Sequence, residues 1–97
     1  EIRSVELLDR FLDFYSGESE REVRGVLVKA LLQSKHPRRD EFLVEVLMDS
    51  DQAIREMAWE GIRKRPGLPK VKYDPAAGAD RRAEAVKLLR SWAVRDQ

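Results

Sequence analysis

The chain has 97 residues, of which 38% are charged and 42% hydrophobic, and its formal net charge is +1. This composition excludes a disordered chain and indicates one small domain of amphipathic helices with charged outer faces. The absence of cysteine excludes disulfides and thiolate metal sites, and no apolar run reaches the roughly 18 residues that a membrane span needs, so we expect no membrane partner.

Two helices are predicted in the first third of the chain, at 4–16 and 20–33, because apolar residues recur there at helical spacing. Gly17 stops the first helix. Ser19 and Glu22 match a capping box, in which each side chain bonds a backbone N–H of the other at the start of the second helix. The apolar stripe of the second helix is predicted to be Val23, Val26, Leu27, Ala30 and Leu31.

A glycine inside the second helix, Gly25, costs up to about 1 kcal/mol relative to alanine, so we expect another helix to cross closely there.

The third helix, at 38–48, is apolar around much of its circumference and should be the most buried; a strand is the competing prediction for its FLVEVLM run. The fourth helix, at 51–64, is expected to be capped by Asp49 or Ser50. Its predicted stripe is Ile54, Met57, Ala58 and Ile62.

The segment 66–79 is predicted to be an irregular loop, because prolines and a glycine punctuate it. Its apolar side chains, Leu68, Val71 and Tyr73, are expected to pack against the body of the domain. Asp80 should cap a last helix at 81–94, where Trp92 can bury a large area and close the fold. The predicted stripe of this helix is Ala85, Leu88, Leu89, Trp92 and Ala93.

One helix-opening pattern occurs twice, at 19–31 and 50–62, with an offset of 31 residues. Each copy begins with Ser and an acid and continues with a β-branched apolar residue followed by Arg, at Val23-Arg24 and Ile54-Arg55. The match extends into the preceding helices, which indicates that a helix pair repeats. The further aligned residues are Leu27 with Ala58, Leu31 with Ile62, Leu12 with Leu43 and Phe11 with Phe42.

This pattern resembles the HEAT-repeat family, especially its short bacterial repeats of the phycobilisome-lyase-like type, in which the second helix of each pair opens with an acid and a Val-Arg step. The resemblance covers residues 4–65 and implies an all-α fold, a right-handed α-solenoid of about two antiparallel helix pairs plus a C-terminal capping helix. Within one domain, 1–97, the expected divisions are repeat one at 4–34, repeat two at 35–65, a loop at 66–79 and the capping helix at 80–95.

The resemblance also implies a structural role for the repeated arginines. Arg24 and Arg55 are expected to reach an acid in an adjacent repeat and form a ladder, with Asp51 as the acid for Arg24. Contact of these arginines with a ligand is the less favoured alternative. Because the chain begins at Glu1 and not at Met, we expect it to be part of a larger protein, and the compartment stays undetermined with the cytoplasm favoured.

The sequence offers no combination of residues for catalysis, a cofactor or a metal. Neither glycine-rich phosphate-loop pattern occurs. His36 is the single histidine, is expected to be exposed in a turn, and cannot build a usual zinc site without cysteine. Asp49 and Asp51 form a D-x-D pair, but no glycine or downstream glutamate completes a calcium loop. We therefore expect no enzyme activity.

Repeat modules of this kind hold partners, so the expected function is a protein–protein interaction or scaffolding module whose partner is another protein. In HEAT-type stacks the second helices line the concave face. Trp59 is as consistent with a core position as with recognition of a partner. The expected partner-binding residues on the concave face are Arg21, Lys29, Gln52, Glu56, Trp59 and Glu60.

Charge is distributed unevenly, because residues 1–62 hold 9 basic and 14 acidic residues while residues 63–97 hold 10 and 4. Solvated helix faces are the simpler interpretation. The alternative function is a nucleic-acid-binding helical repeat that uses the basic segment 63–87. The candidate anion-binding patch comprises Arg63, Lys64, Arg65, Lys70 and Lys72.

Overall fold

Five α-helices and the turns between them make up residues 10–95, the part of the chain that the computed structural model describes, and no strand occurs among them. The all-α prediction is confirmed, and the competing strand prediction for the third element is wrong. The amino-terminal part of the predicted first helix, at 4–9, lies outside the described residues. The helices are α1 Phe11–Ser16, α2 Arg21–Gln33, α3 Arg39–Val46, α4 Gln52–Ile62 and α5 Ala79–Arg95.

Helix α3 is the centre of the packing, as its sequence predicts. It contacts α2, α4 and α5, while α2 also packs against α1 and α4. The Phe42 ring stacks on Phe11 of α1 with ring centroids 5.6 Å apart. Only Met48 departs from the prediction, since its side chain is 39% exposed just beyond the helix. The fully buried residues of this segment are Phe42, Leu43, Val44, Val46 and Leu47.

The buried side of α2 differs from the predicted stripe. Val28 and Leu31 are buried, whereas Val23 and Val26 are 44% and 65% exposed and Ala30 is exposed as well. Helix α2 has apolar residues on two sides, and its contacts with α1, α3 and α4 cover only one of them. Periodicity alone does not reveal which side a neighbour will cover.

A similar correction applies to α5. Val86 is buried and Leu88 is 53% exposed, so these two residues exchange their predicted roles, while Trp92 is buried as predicted. Two hydrogen bonds hold the loop before α5 against the helices, one near its start and one at its middle: the Trp92 indole N–H donates to the Pro66 carbonyl at 3.3 Å, and the Tyr73 hydroxyl donates to the Leu47 carbonyl at 2.7 Å. The prediction that apolar loop residues pack against the body is confirmed.

The helix starts are capped differently from the sequence predictions. The N-cap of α2 is Glu20, which makes no side-chain capping bond, so the Ser19–Glu22 capping box is wrong. The N-cap of α4 is Asp51, whose carboxylate accepts from the amides of Ala53 and Ile54. The predicted cap, Asp49 or Ser50, is therefore wrong.

The α5 start is also displaced, because the helix begins at Ala79 and Asp80 lies inside its first turn. Gly67, which follows the end of α4, has a φ of 76°, a left-handed conformation that glycine adopts without steric cost. The α1 helix ends at Gly17 as predicted.

The close helix crossing occurs at Gly61 and not at Gly25. A Cβ on Gly61 would lie 2.4 Å from Leu32 Cδ2 and 3.4 Å from Leu43 Cδ1, whereas a Cβ on Gly25 would meet nothing within 4 Å. Gly61 therefore lets α4 approach α2, and Gly25 has no packing role.

We predict that Gly25→Ala raises the free energy of unfolding by roughly 0.5–1 kcal/mol, because alanine has the higher helix propensity and the new methyl group meets open space. Gly61→Ala is expected to gain less or to destabilise, because Leu32 must move away from the new Cβ. Urea unfolding of both variants measures the difference. An equal gain in the two variants would contradict the close crossing at Gly61.

Candidate binding surfaces

A buried carboxylate, Asp49, joins the two helix pairs. Arg24 of α2 donates from Nε to Asp49 Oδ2 at 2.9 Å and from Nη2 to Oδ1 at 3.2 Å, a bidentate pair. The Tyr15 hydroxyl also donates to Oδ2, and the Asp51 amide donates to Oδ1 at 2.8 Å. The Asp49 side chain is only 2% exposed. We call this arrangement of Tyr15, Arg24 and Asp49 the Asp49 node.

The Asp49 node holds its carboxylate ionised. Burial by itself would raise the pKa of Asp49, but the hydrogen bonds from Arg24, Tyr15 and the Asp51 amide outweigh it, so this pKa lies below its ordinary value. Burial raises the pKa of Tyr15, and the adjacent carboxylate raises it further. Tyr15 therefore acts as a neutral donor to a charged acceptor.

The acid that Arg24 binds is Asp49 and not Asp51, which corrects the predicted ladder. Asp51 instead accepts from Arg21 Nη1 at 3.0 Å while it caps α4, and the Arg21 hydrogen bond is the main cause of its lowered pKa. The two acids are two residues apart, and the direction of each side chain decides which arginine it meets.

Arg55 repeats part of the Arg24 geometry but binds no acid among residues 10–95. Each arginine donates from Nη1 to the carbonyl six residues earlier: Arg24 to Glu18 at 3.3 Å, and Arg55 to Asp49 at 2.7 Å. Each also reaches forward from Nε, Arg24 to the Asp49 carboxylate and Arg55 to the Pro75 carbonyl at 2.9 Å. The two arginines therefore perform the same linking role in both helix pairs.

The residues expected on the concave face are mostly exposed, and several of them make hydrogen bonds or ion pairs within the chain. Gln52 donates to Glu56 at 3.0 Å, and Glu60 is paired with Arg63 at 2.9 Å. Trp59 is an exception, since it is half-buried with its ring 5.1 Å from that of Tyr73. The exposed members of the set are Arg21, Lys29, Gln52, Glu56 and Glu60.

An apolar surface that sequence reasoning assigned to the core lies open on α2. We define the α2 outer face as Val23, Val26 and Ala30, all of them exposed. The residues 31 positions later on α4 are Ile54, Met57 and Gly61. Ile54 is 3% exposed, Met57 packs against the core, and Gly61 is the close approach to α2. The repeat alignment itself contained this signal.

The predicted anion-binding patch is divided between two concave regions. Lys64 and Arg65 line a cleft of about 800 Å³ between the α2–α3 turn and the end of α4. Lys70 and Lys72 line a separate groove of about 360 Å³ on α5. Arg63 is engaged by Glu60 and lines neither of them. The five predicted residues therefore do not form one surface.

The cleft contains a bonded set of charges. Asp40 accepts from Arg65 Nε at 2.9 Å and from Arg39 Nη1 at 3.2 Å, and Arg39 also donates to the Leu32 carbonyl at 3.4 Å. His36, which also lines the cleft, is 8% exposed, so the prediction of an exposed turn residue is wrong. Its Nδ1 accepts from the Arg38 amide at 3.0 Å and its ring packs beside Phe42, which explains the burial.

We name the second region the basic groove. It lies between the loop and the first half of α5, and Arg81 adds a third cation to Lys70 and Lys72. The sequence pattern placed Leu88 in the core, but the structure places it in this groove. The lining residues are Lys70, Val71, Lys72, Arg81, Glu84, Ala85 and Leu88.

Within residues 10–95, no group of three or more His, Cys, Asp or Glu side chains is placed to hold a metal ion. In that same range, no helix has the length and apolar character required to cross a membrane. The chain matches no protein-family model, no curated protein and no solved structure.

We predict that Asp49→Asn lowers the free energy of unfolding by about 3–5 kcal/mol, because it removes the charge that compensates the largely buried Arg24 guanidinium. Glu45→Gln is the matched control: it makes the same acid-to-amide change in the more exposed Arg90–Glu45 pair and should cost less than about 1 kcal/mol. Urea unfolding at neutral pH measures both. A similar small loss for the two variants would show that the Asp49 node contributes no special stability.

The Asp49 node also predicts a pH dependence. Because the folded-state pKa of Asp49 lies below the ordinary value of about 3.9, its stabilisation is complete above that value and is lost as the pH falls through the folded-state pKa. The stability difference between the wild type and Asp49→Asn should therefore be largest near pH 7 and shrink below about pH 4. A difference that stays constant between pH 7 and pH 3 would contradict this assignment.

Proposed function

We propose that the chain is a HEAT-like α-solenoid module that binds another polypeptide and performs no chemistry of its own. Two observations support the repeat organisation. The helix pairs α1–α2 and α3–α4 follow one another with the 31-residue sequence offset, and Arg24 and Arg55 make corresponding bonds in each pair. Helix pairs of this kind bury their apolar sides against neighbouring pairs.

The α2 outer face is the observation that carries the binding function. On α4 the equivalent Ile54 is buried, Met57 packs against the core and Gly61 closely approaches Leu32 of α2, so the same sequence pattern produces an internal contact once and an open apolar surface once. Removing an exposed valine side chain from water is favourable, and Val26 is 65% exposed. A polypeptide with an apolar helical side, comparable to the side that α2 presents to α4, fits this surface.

The polar concave face supplies a second contact region in this proposal. Glu56 and Glu60 lie one turn apart on α4 and are exposed, so a basic partner segment could pair with them.

The geometry supports the nucleic-acid alternative less well, because the basic residues of segment 63–87 are divided between two concave regions. Several of them are also bonded to this chain's own acids and carbonyls.

We predict that Val23→Glu with Val26→Glu lowers partner capture at least tenfold, because both changes place a charge on the apolar contact surface. Circular dichroism should show an unchanged fold, since both side chains are exposed. Quantitative affinity capture from a lysate of the source cells, with the wild type in parallel, identifies the proteins whose recovery depends on this face.

Glu56→Lys with Glu60→Lys is the companion variant and is expected to weaken capture several-fold without unfolding the domain. Recovery that is unchanged in both double variants would contradict the binding function. If only Glu56→Lys with Glu60→Lys lowers recovery, the partner binds the concave face and not the α2 outer face.

A further inference from the structure

The basic groove has positive charge that the rest of the described chain does not compensate. Among the arginines from Arg10 to Arg90, Arg81 is the one whose side chain makes neither a hydrogen bond nor an ion pair with a residue in the described part of the chain. Its neighbour Arg82, by contrast, donates to the Ala77 carbonyl. The bonded arginines are Arg10, Arg21, Arg24, Arg38, Arg39, Arg55, Arg63, Arg65, Arg82 and Arg90.

The two lysines of the groove increase this imbalance. Lys70 and Lys72 form no ion pair with any carboxylate in the described part of the chain, and Glu84 is the one acid that lines the groove. Three cations therefore face one carboxylate in a small concave region. Concave regions lined by one sign of charge concentrate the potential and attract groups of opposite charge.

The floor of the groove is apolar. Leu88 is 53% exposed, Val71 is half-buried, and Ala85 is buried as part of the core. If an occupant covered Leu88, apolar burial would stabilise the complex in addition to the attraction between charges. The combination favours a ligand that has both carboxylates and an apolar side chain.

A nucleic acid would use only half of these features. Its phosphates could pair with the three cations, but single-stranded nucleic acids also need aromatic surfaces on which bases stack. No aromatic side chain lines the groove, and the nearby Trp59 and Tyr73 rings pack against each other. An acidic peptide fits the groove better than an oligonucleotide does.

We infer that the basic groove binds an acidic peptide segment of a partner protein, with one apolar side chain of the peptide placed between Val71 and Leu88. This inference rests on the proposed polypeptide-binding function and identifies the chemical character of a partner segment. The carboxylates of the peptide pair with Lys70, Lys72 and Arg81. Attraction of this kind weakens as salt is added, while the apolar contact does not.

The test uses the whole chain, labelled with ¹⁵N, and a five-residue probe peptide in which one leucine stands between two pairs of glutamates. We expect the largest amide shifts at Val71, Arg81 and Leu88. Lys72→Glu with Arg81→Glu should weaken binding at least tenfold. Arg10→Glu with Lys35→Glu is the matched control, because both residues are exposed and the pair makes the same change in net charge outside the groove, and it should weaken binding less than threefold.

Three results would overturn the inference: no shift at the groove, equal binding of a peptide with serine in place of leucine, or displacement of the probe by an equimolar oligothymidylate. Self-association in sedimentation experiments that Lys72→Glu with Arg81→Glu abolishes would also overturn it, because the occupant would then be a second copy. Capture through the α2 outer face is a separate measurement, so the groove can fail while the proposed function stands, and the reverse also holds.

Discussion

The ion pair between Arg24 and Asp49 is the interaction on which the arrangement of the helices depends. It connects α2 to the turn between α3 and α4, and the Tyr15 hydroxyl brings α1 to the same carboxylate. The backbone of Asp49 takes part as well, because its carbonyl accepts from Arg55 of α4. One residue therefore fixes four helices relative to one another.

A buried carboxylate is expensive unless donors surround it, and the loss of one partner leaves the other charge uncompensated. Asp49 has four hydrogen bonds to its side-chain oxygens, from the two nitrogens of Arg24, the Tyr15 hydroxyl and the Asp51 amide. A shift of α2 by one turn would break the two from Arg24. The Asp49 node thus specifies the register of α2 in addition to stabilising the fold.

The sequence was sufficient to predict where the helices lie along the chain, but it was insufficient to predict which side of each helix is buried. Helix positions follow from local periodicity, and the densely apolar α3 could only be central. The buried side of α2 was not predictable, because Val23 and Val28 lie on different sides of one helix and only the positions of α1, α3 and α4 select between them. The prediction of the α4 cap was wrong for a related reason. Asp49 and Asp51 are equally good local caps, but the Asp49 carboxylate binds Arg24, which is distant in sequence.

The same limit applies to the binding surfaces. Arg81 and Leu88 lie seven residues apart on α5, about two turns, yet Leu88 looks like a core residue until its neighbours are known. The basic segment looks continuous in sequence, but the bend of the chain between α4 and α5 separates Lys64 from Lys70. What periodicity cannot supply is the identity of the neighbour on each side of a helix.

The repeat alignment supplies part of that missing information. When two positions 31 residues apart have similar residues and one of them is buried, the other has the same capacity for contact. Ile54 is buried against its neighbours while Val23 is exposed, so the difference between them comes from the surroundings and not from the side chain. The repeat alignment therefore supports the proposal that the α2 outer face is a contact surface, with the buried side of α4 as its internal counterpart. The basic groove has no such internal example, since residues 66–95 have no counterpart in the repeat. Its expected ligand follows from its own charges, and this is why we propose a partner segment of different chemistry there.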